Sequence, residues 1–298
     1  MSAETIKKRR DLILSSLTSG PGIVWVCLFL LVPLISVMAI SFLTRGEYGD
    51  IEWTFTFDNY KRFFGYGIFG FDPLYPIIIV RSFILAAGTA ALCVLAALPL
   101  AFFISFLPPR YKGIALTLVI IPFWTNLLIR TYAWQILLAP GSILSNLVHF
   151  IGIVPEDVPA LPSAGAVYAG MVCDFLPYMV LPLYTSIEKI DWKIAEAAMD
   201  LGGNGRRVFR HAVLPQIMPG LVAGIILVFI PALGQYVIPD LLGGAKTVML
   251  GNAIGQQFGA SRDWPFGSAI AFFAMGIVMM GLWLYARVAR KHGEEALL

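Results

Sequence analysis

The chain has 298 residues, 58% of them hydrophobic and 13% charged, with a mean hydropathy of +0.80 and a formal net charge of +3. A soluble domain carries about 25% charged residues, so this composition excludes an ordinary water-soluble domain. Three cysteines without a CxxC pair give neither a disulfide framework nor a zinc cluster.

The apolar residues fall in long runs rather than at period 2 or 3.6, which marks membrane spans. Six runs are predicted, at about 20–43, 77–107, 114–138, 164–187, 216–240 and 266–287. They must be helical, because lipid offers no partner to an exposed backbone group. The strands of a membrane barrel would alternate over roughly 10 residues, and no such segments occur. The prediction is an all-α membrane protein with a short segment over 1–19 and one transmembrane domain over 20–298.

The first span follows Lys7, Lys8, Arg9 and Arg10. Its apolar stretch exceeds the 7–15 residues of a signal peptide and lacks a small-residue cleavage site, so it reads as a retained span. Cys27, Cys93 and Cys173 lie in spans and read as small buried hydrophobes. His149, His211 and His292 fall in three separate segments, so no metal site is expected.

Charge bias sets the orientation. With the N-terminus in the cytoplasm, the inner segments hold Lys7, Lys8, Arg9, Arg10, Arg110, Lys112, Lys189, Lys193, Arg206, Arg207, Arg210, Arg287, Arg290 and Lys291. The outer segments hold only Arg45, Lys61, Arg62, Lys246 and Arg262, while Arg81 and Arg130 fall inside spans. Both termini are therefore expected in the cytoplasm, and the net charge reports topology rather than nucleic-acid binding. The outer loops at 44–76 and 139–163 are long and net acidic, with Glu47, Asp50, Glu52, Asp58, Asp72, Glu156 and Asp157.

Residues 188–215 form the longest inner loop. Asp191 is predicted to cap a helix through Trp192–Leu201, because aspartate accepts from the free N–H groups of a first turn. Gly202 and Gly203 permit a turn with positive φ. A second helix is predicted from Asn204 to Val213, with Arg206 and Arg210 on one face, and Pro215 starts the next span. From composition alone this is a connector resting on lipid headgroups, or a helix–turn–helix with Ala197 and Ala198 small enough for a partner to approach.

The order of residues decides between the two. Glu196-Ala197-Ala198, then Gly202, then Ala212, Leu214 and Pro215 resemble the motif of ABC importer permeases, with Ala212 where that family usually has Ile. The resemblance implies a type I importer permease fold in which this segment is the cytoplasmic coupling helix, docking in a cleft of the ATPase. It assigns Glu196, Ala197, Ala198, Gly202, Arg206, Arg210, Leu214 and Pro215 to that role.

Further strings resemble the permeases of spermidine/putrescine importers: Pro122-Phe123-Trp124-Thr125-Asn126, Arg130-Thr131-Tyr132, Leu176 to Tyr184, Asp240 to Lys246, and Arg262 to Phe266. The resemblance implies a bacterial inner-membrane subunit working with a second homologous permease, an ATPase dimer and an extracytoplasmic solute-binding protein. ATP and magnesium would sit on the ATPase, and this chain would carry no cofactor and perform no bond chemistry. Gly243-Gly244-Ala245-Lys246-Thr247 is not a phosphate loop, because Ala245 stands where glycine is required before lysine.

Ionisable groups inside spans are candidates for function. Asp174 and Arg130 lie at similar depths, about 15 and 12 Å from the outer ends of their spans at 1.5 Å per residue. They are candidates to pair with each other, or for Asp174 to line a solute path. A polyamine path needs carboxylates and aromatic faces. Asp174 with Tyr178, and Tyr236 with Asp240, each at i, i+4, are the path candidates. Pro231 and Pro239 can interrupt the fifth span, and Gly220 and Gly224 form a GxxxG packing pair. The alternatives are a permease for another amine, opine or amino-acid-like solute, or an ion-coupled transporter. The latter predicts more intramembrane carboxylates and two related halves. A membrane enzyme would need clustered His, Asp or Glu.

Overall fold

A computed structural model describes residues 3–67, 70–152, 155 and 158–291. Glu156, Asp157 and His292 lie outside the described residues. Among those described, five helices are long and apolar enough to cross a membrane, and a bent pair, taken together as one span, brings the number to six. The chain divides into two compact units, one formed by Met1–Asp72 with Gln256–Ile277 and the other by Pro73–Gly255 with Val278–Leu298.

The first unit opens with α1 (Ala3–Ile40), whose apolar stretch Gly20–Ile40 has a mean hydropathy of 2.8 and is 0% buried. Cys27 is exposed, against the sequence expectation, because no residue of the apolar stretch Gly20–Ile40 is buried within the chain. The first span also ends earlier than predicted, since Leu43 begins strand β1 (Leu43–Arg45), paired antiparallel with β2 (Ile51–Phe55). Rings of Phe42, Phe55, Phe57 and Tyr60 pack this hairpin onto α2 (Asp58–Phe63). A second small hairpin follows, β3 (Tyr66–Gly67) with β4 (Gly70–Phe71). Arg62 donates to the buried Asp263 at 2.7 Å and lies 4.0 Å over the Phe266 ring. The other Asp263 oxygen accepts from the Phe266 N–H at 3.3 Å, capping the start of the last span.

In the second unit, α3 (Leu74–Phe106), α7 (Ala164–Ile187) and α10 (Leu214–Leu233) form the packed core. Small residues let the backbones close up, with Ala86, Ala90, Cys93, Ala97 and Ala101 buried along one stripe of α3. On α10 a Cβ at Gly220 would strike the Pro182 carbonyl and Ser186 of α7, and one at Gly224 would lie 2.6 Å from Met179 Sδ. The GxxxG pair is therefore the α7–α10 contact. Because a backbone carbonyl cannot yield as a side chain can, Gly220→Val is expected to cost about 1–3 kcal/mol. A lowered melting temperature of the purified protein in detergent checks this.

The predicted third span, 114–138, is not one rod. It is α4 (Pro109–Trp124) followed by α5 (Leu127–Leu137), bent by 90°. Thr125 takes extended φ/ψ, and its hydroxyl donates to the Pro122 carbonyl at 2.6 Å. The Asn126 side chain then accepts from the Leu128 N–H at 2.8 Å and caps α5. Thr125-Asn126 thus provides a C-terminal stop and an N-cap inside an apolar run. The amphipathic α6 (Ile143–Phe150) follows, capped by Ser142.

The fifth span also differs from its predicted limits of 216–240. Helix α8 (Trp192–Asp200) and the short α9 (Gly205–Val208) precede it, and a π turn at Phe209–Val213 joins α9 to α10 without a break. No second helix stops at Val213. The span ends at Leu233, where Pro231 and Gly234 exhaust the helical pattern, and a second π turn occupies Pro239–Gly243. Then come α11 (Leu250–Phe258) and α12 (Trp264–Lys291).

Candidate functional site

Two places collect the predicted residues, both in the second unit. One is the turn between α8 and α9. The Asp191 side chain accepts from the Lys193 N–H at 3.0 Å and caps α8. Ala195 buries against the core while Glu196 and Ala197 face outward and Ala198 is half-buried. Gly202 takes φ +81°, and its N–H donates to the Met199 carbonyl at 2.8 Å. The Gly203 N–H donates to the Ala198 carbonyl at 3.0 Å, closing the turn. Asn204 then caps α9 by accepting from the Arg207 N–H at 3.0 Å.

Arg206, Arg210 and Pro215 are exposed, Leu214 is half-buried and Ala212 is buried. Ala212 belongs to the buried core cluster. Leu201 at 90% and Met199 at 55% exposure leave apolar side chains uncovered beside the charges of Glu196 and Arg206.

Sequence reasoning missed what anchors this turn. Gln216 accepts from the Asp191 N–H at 2.9 Å and donates to the Ala212 carbonyl at 2.8 Å, tying the start of α8 to the π turn. A polar residue one place after Leu214-Pro215, at the mouth of an apolar span, was the available signal. Trp192 packs on Phe106 and Phe209 on Phe102, so the far end of α3 carries the loop.

The second place is the break between α4 and α5. Arg130 and Asp174 form an ion pair, each side chain nearly buried at 13% and 12% exposure. The other arm of the guanidinium donates to the Pro122 carbonyl at 2.7 Å. One cation therefore holds the last turn of α4, the first turn of α5 and the middle of α7. Beside it Tyr178 meets the Phe123 ring edge-on, with centroids 4.9 Å apart. Phe123 was not singled out from the sequence for this role. The packing of α4 on α7 brings the two rings together.

Tyr236 and Asp240 are placed elsewhere. Both are exposed and lie after the end of α10, where the Asp240 N–H donates to the Tyr236 carbonyl at 3.2 Å. The same carbonyl accepts from the Asn252 side chain at 2.8 Å. An apolar groove of about 590 Å³, lined by Ile77, Val80, Arg81, Ile84, Tyr168 and Thr247 among others, contains none of the path candidates.

Broken and continuous apolar spans are packed by small residues, with an exposed capped turn between the fourth and fifth, and the family to which this architecture belongs is one of membrane transport subunits. The chain belongs to the family of binding-protein-dependent transport system inner membrane components, whose pattern matches residues 96–293. It is 37% identical over 273 residues to the spermidine/putrescine transport system permease protein PotB of Escherichia coli K12, covering 91% of this chain and 97% of that protein. It is 38% identical to the PotB of Haemophilus influenzae, covering 88% and 90%. A bacterial ABC transporter involved in the import of the acidic polysaccharide alginate shares the fold, with a TM-score of 0.66 at 16% identity over 97% of this chain and 99% of that one.

Proposed function

We propose that this chain is a permease subunit of an ATP-driven importer that carries spermidine or putrescine across the bacterial inner membrane. The observation that carries this reading is the identity to PotB over nearly the whole of both chains. In this reading the second permease is a homologue, an extracytoplasmic binding protein delivers the solute, and both termini lie in the cytoplasm, as the distribution of lysine and arginine supports. ATP and magnesium bind the ATPase dimer.

The turn at Glu196–Gly202 is the coupling element. It is rigidly capped at both ends, and it presents exposed Met199 and Leu201 beside charged groups. Closing of the ATPase dimer pushes this turn. The push reaches α10 through the unbroken helix and reaches α7 and α3 through the core packed on Ala195 and Val208. Asp174 and Tyr178 line the solute path at the break in the third span.

The test is uptake of radiolabelled spermidine and putrescine into proteoliposomes holding the full complex, with ATP supplied to the ATPase side and with and without the binding protein. ATP-dependent uptake of either amine is expected. ATPase stimulation by the binding protein without uptake of either amine would keep the importer and discard the polyamine cargo.

A further inference from the structure

Lys112 ties the start of α4 to Glu188 at the end of α7 at 2.7 Å, and two further side-chain contacts tie the broken third span to α7 at the break itself. Arg130 of α5 reaches Asp174, and Phe123 of α4 packs edge-on against Tyr178, one turn along from Asp174. A nearly buried carboxylate one helical turn from a tyrosine that packs on a phenylalanine is a recognition set for an alkylammonium group. The carboxylate supplies the charge, and the rings supply cation–π attraction and a surface for methylenes. Here the set already holds a cation, and that cation belongs to the chain.

We propose that Asp174, Tyr178 and Phe123 form an alkylammonium site whose resting occupant is the Arg130 guanidinium, and that an ammonium group of the solute displaces Arg130 from Asp174 during transport. This rests on the amine-import reading above. Three features of the geometry support the exchange. Asp174 is never left as a bare buried carboxylate, the state whose cost is greatest, because one cation replaces another. Arg130 keeps its second anchor on the Pro122 carbonyl and so has a place to stay when it lets go. Arginine does not deprotonate, so only another cation can take its place on Asp174, and neutral or anionic solutes leave the contact shut.

The exchange does two things at once. It selects for an amine, and it cuts the polar tie between α5 and α7, leaving the bend at Thr125-Asn126 free to open. It also keeps affinity low, because the solute must compete with a tethered cation at high effective concentration.

The experiment is direct binding of radiolabelled spermidine to the assembled transporter in nanodiscs, without the binding protein. Arg130→Gln vacates the site, and at least tenfold tighter binding than wild type is expected. Arg130→Gln with Asp174→Asn should lose that gain. An assembled Arg130→Gln complex that binds no more tightly than wild type overturns the proposal, as does a double variant that keeps the gain. Should Arg130→Gln fail to assemble, Phe123→Leu decides, since it leaves the ion pair intact. A rise of at least threefold in KM for spermidine uptake is expected, and an unchanged KM overturns the site. A wild-type complex that takes up no polyamine, while Arg130→Gln still gains affinity, would discard the transport reading and retain the site.

Discussion

Replacing Gly202 with proline is expected to lower ATP-dependent uptake at least tenfold while the protein still inserts and its spans still pack. Gly202 holds φ +81°, a left-handed value that proline, locked near −65°, cannot adopt. Its N–H also closes the turn on Met199, and proline has no N–H to donate. Even an ordinary L-residue at such a φ costs about 1–2 kcal/mol, and the proline effect is larger. The damage stays local, because Gly202 has nothing within 4 Å of where a Cβ would stand. What changes is the aim of Glu196, Met199 and Leu201. The check is uptake together with ATPase activity in the same proteoliposomes. Hydrolysis that persists while uptake is lost marks uncoupling, and normal uptake would remove the turn from the transmission path.

The second large effect is expected at Asp174. Asp174→Asn leaves the Arg130 guanidinium nearly buried with only neutral acceptors, the Pro122 carbonyl and an amide oxygen, in place of a carboxylate. Breaking one side of a buried pair typically costs about 3–5 kcal/mol, because the remaining charge is uncompensated. Reduced yield of assembled complex and a lowered melting temperature are expected. Arg130→Gln with Asp174→Asn should recover much of that stability, since no bare charge remains, and the shortfall from additivity measures the pair. Equal destabilisation in the single and double variants would show that the ion pair does not hold the break to α7.

The sequence made the membrane class legible because apolar run length needs no tertiary knowledge, and α7 begins and ends where its hydropathy says, at 164 and 187. The caps at Asp191 and Asn126 differ instructively. Both are side chains accepting from the second residue of a new helix. Asp191 was readable because a charged loop surrounds it. Asn126 was not, because it sits in a run that hydropathy alone treats as continuous, and the 90° bend stayed hidden with it.

The pairing of Arg130 with Asp174 could be proposed from equal depth alone, whereas the contact of Phe123 with Tyr178 depends on how α4 packs on α7 and so needs the fold. Tyr236 and Asp240 show the opposite failure. Their spacing was right for a helix face, but α10 stops at Leu233, and the spacing is instead that of a single turn. Cys27 likewise could not be judged from its apolar neighbours, because burial depends on what packs against a helix, and no residue of Gly20–Ile40 is buried within the chain.

The π turn at Phe209–Val213 has a consequence for angle. A straight α-helix advances about 100° per residue, whereas a π turn fits an additional residue into one turn. In the proposed coupling role, the segment that would receive the stroke and the span that would deliver it are therefore out of phase by roughly that rotation, as two gears would be if keyed to one shaft at different angles. Shortening this stretch by one residue would leave every cap in place and every apolar side chain available. It would still point the stroke a quarter-turn away from the helices that must move.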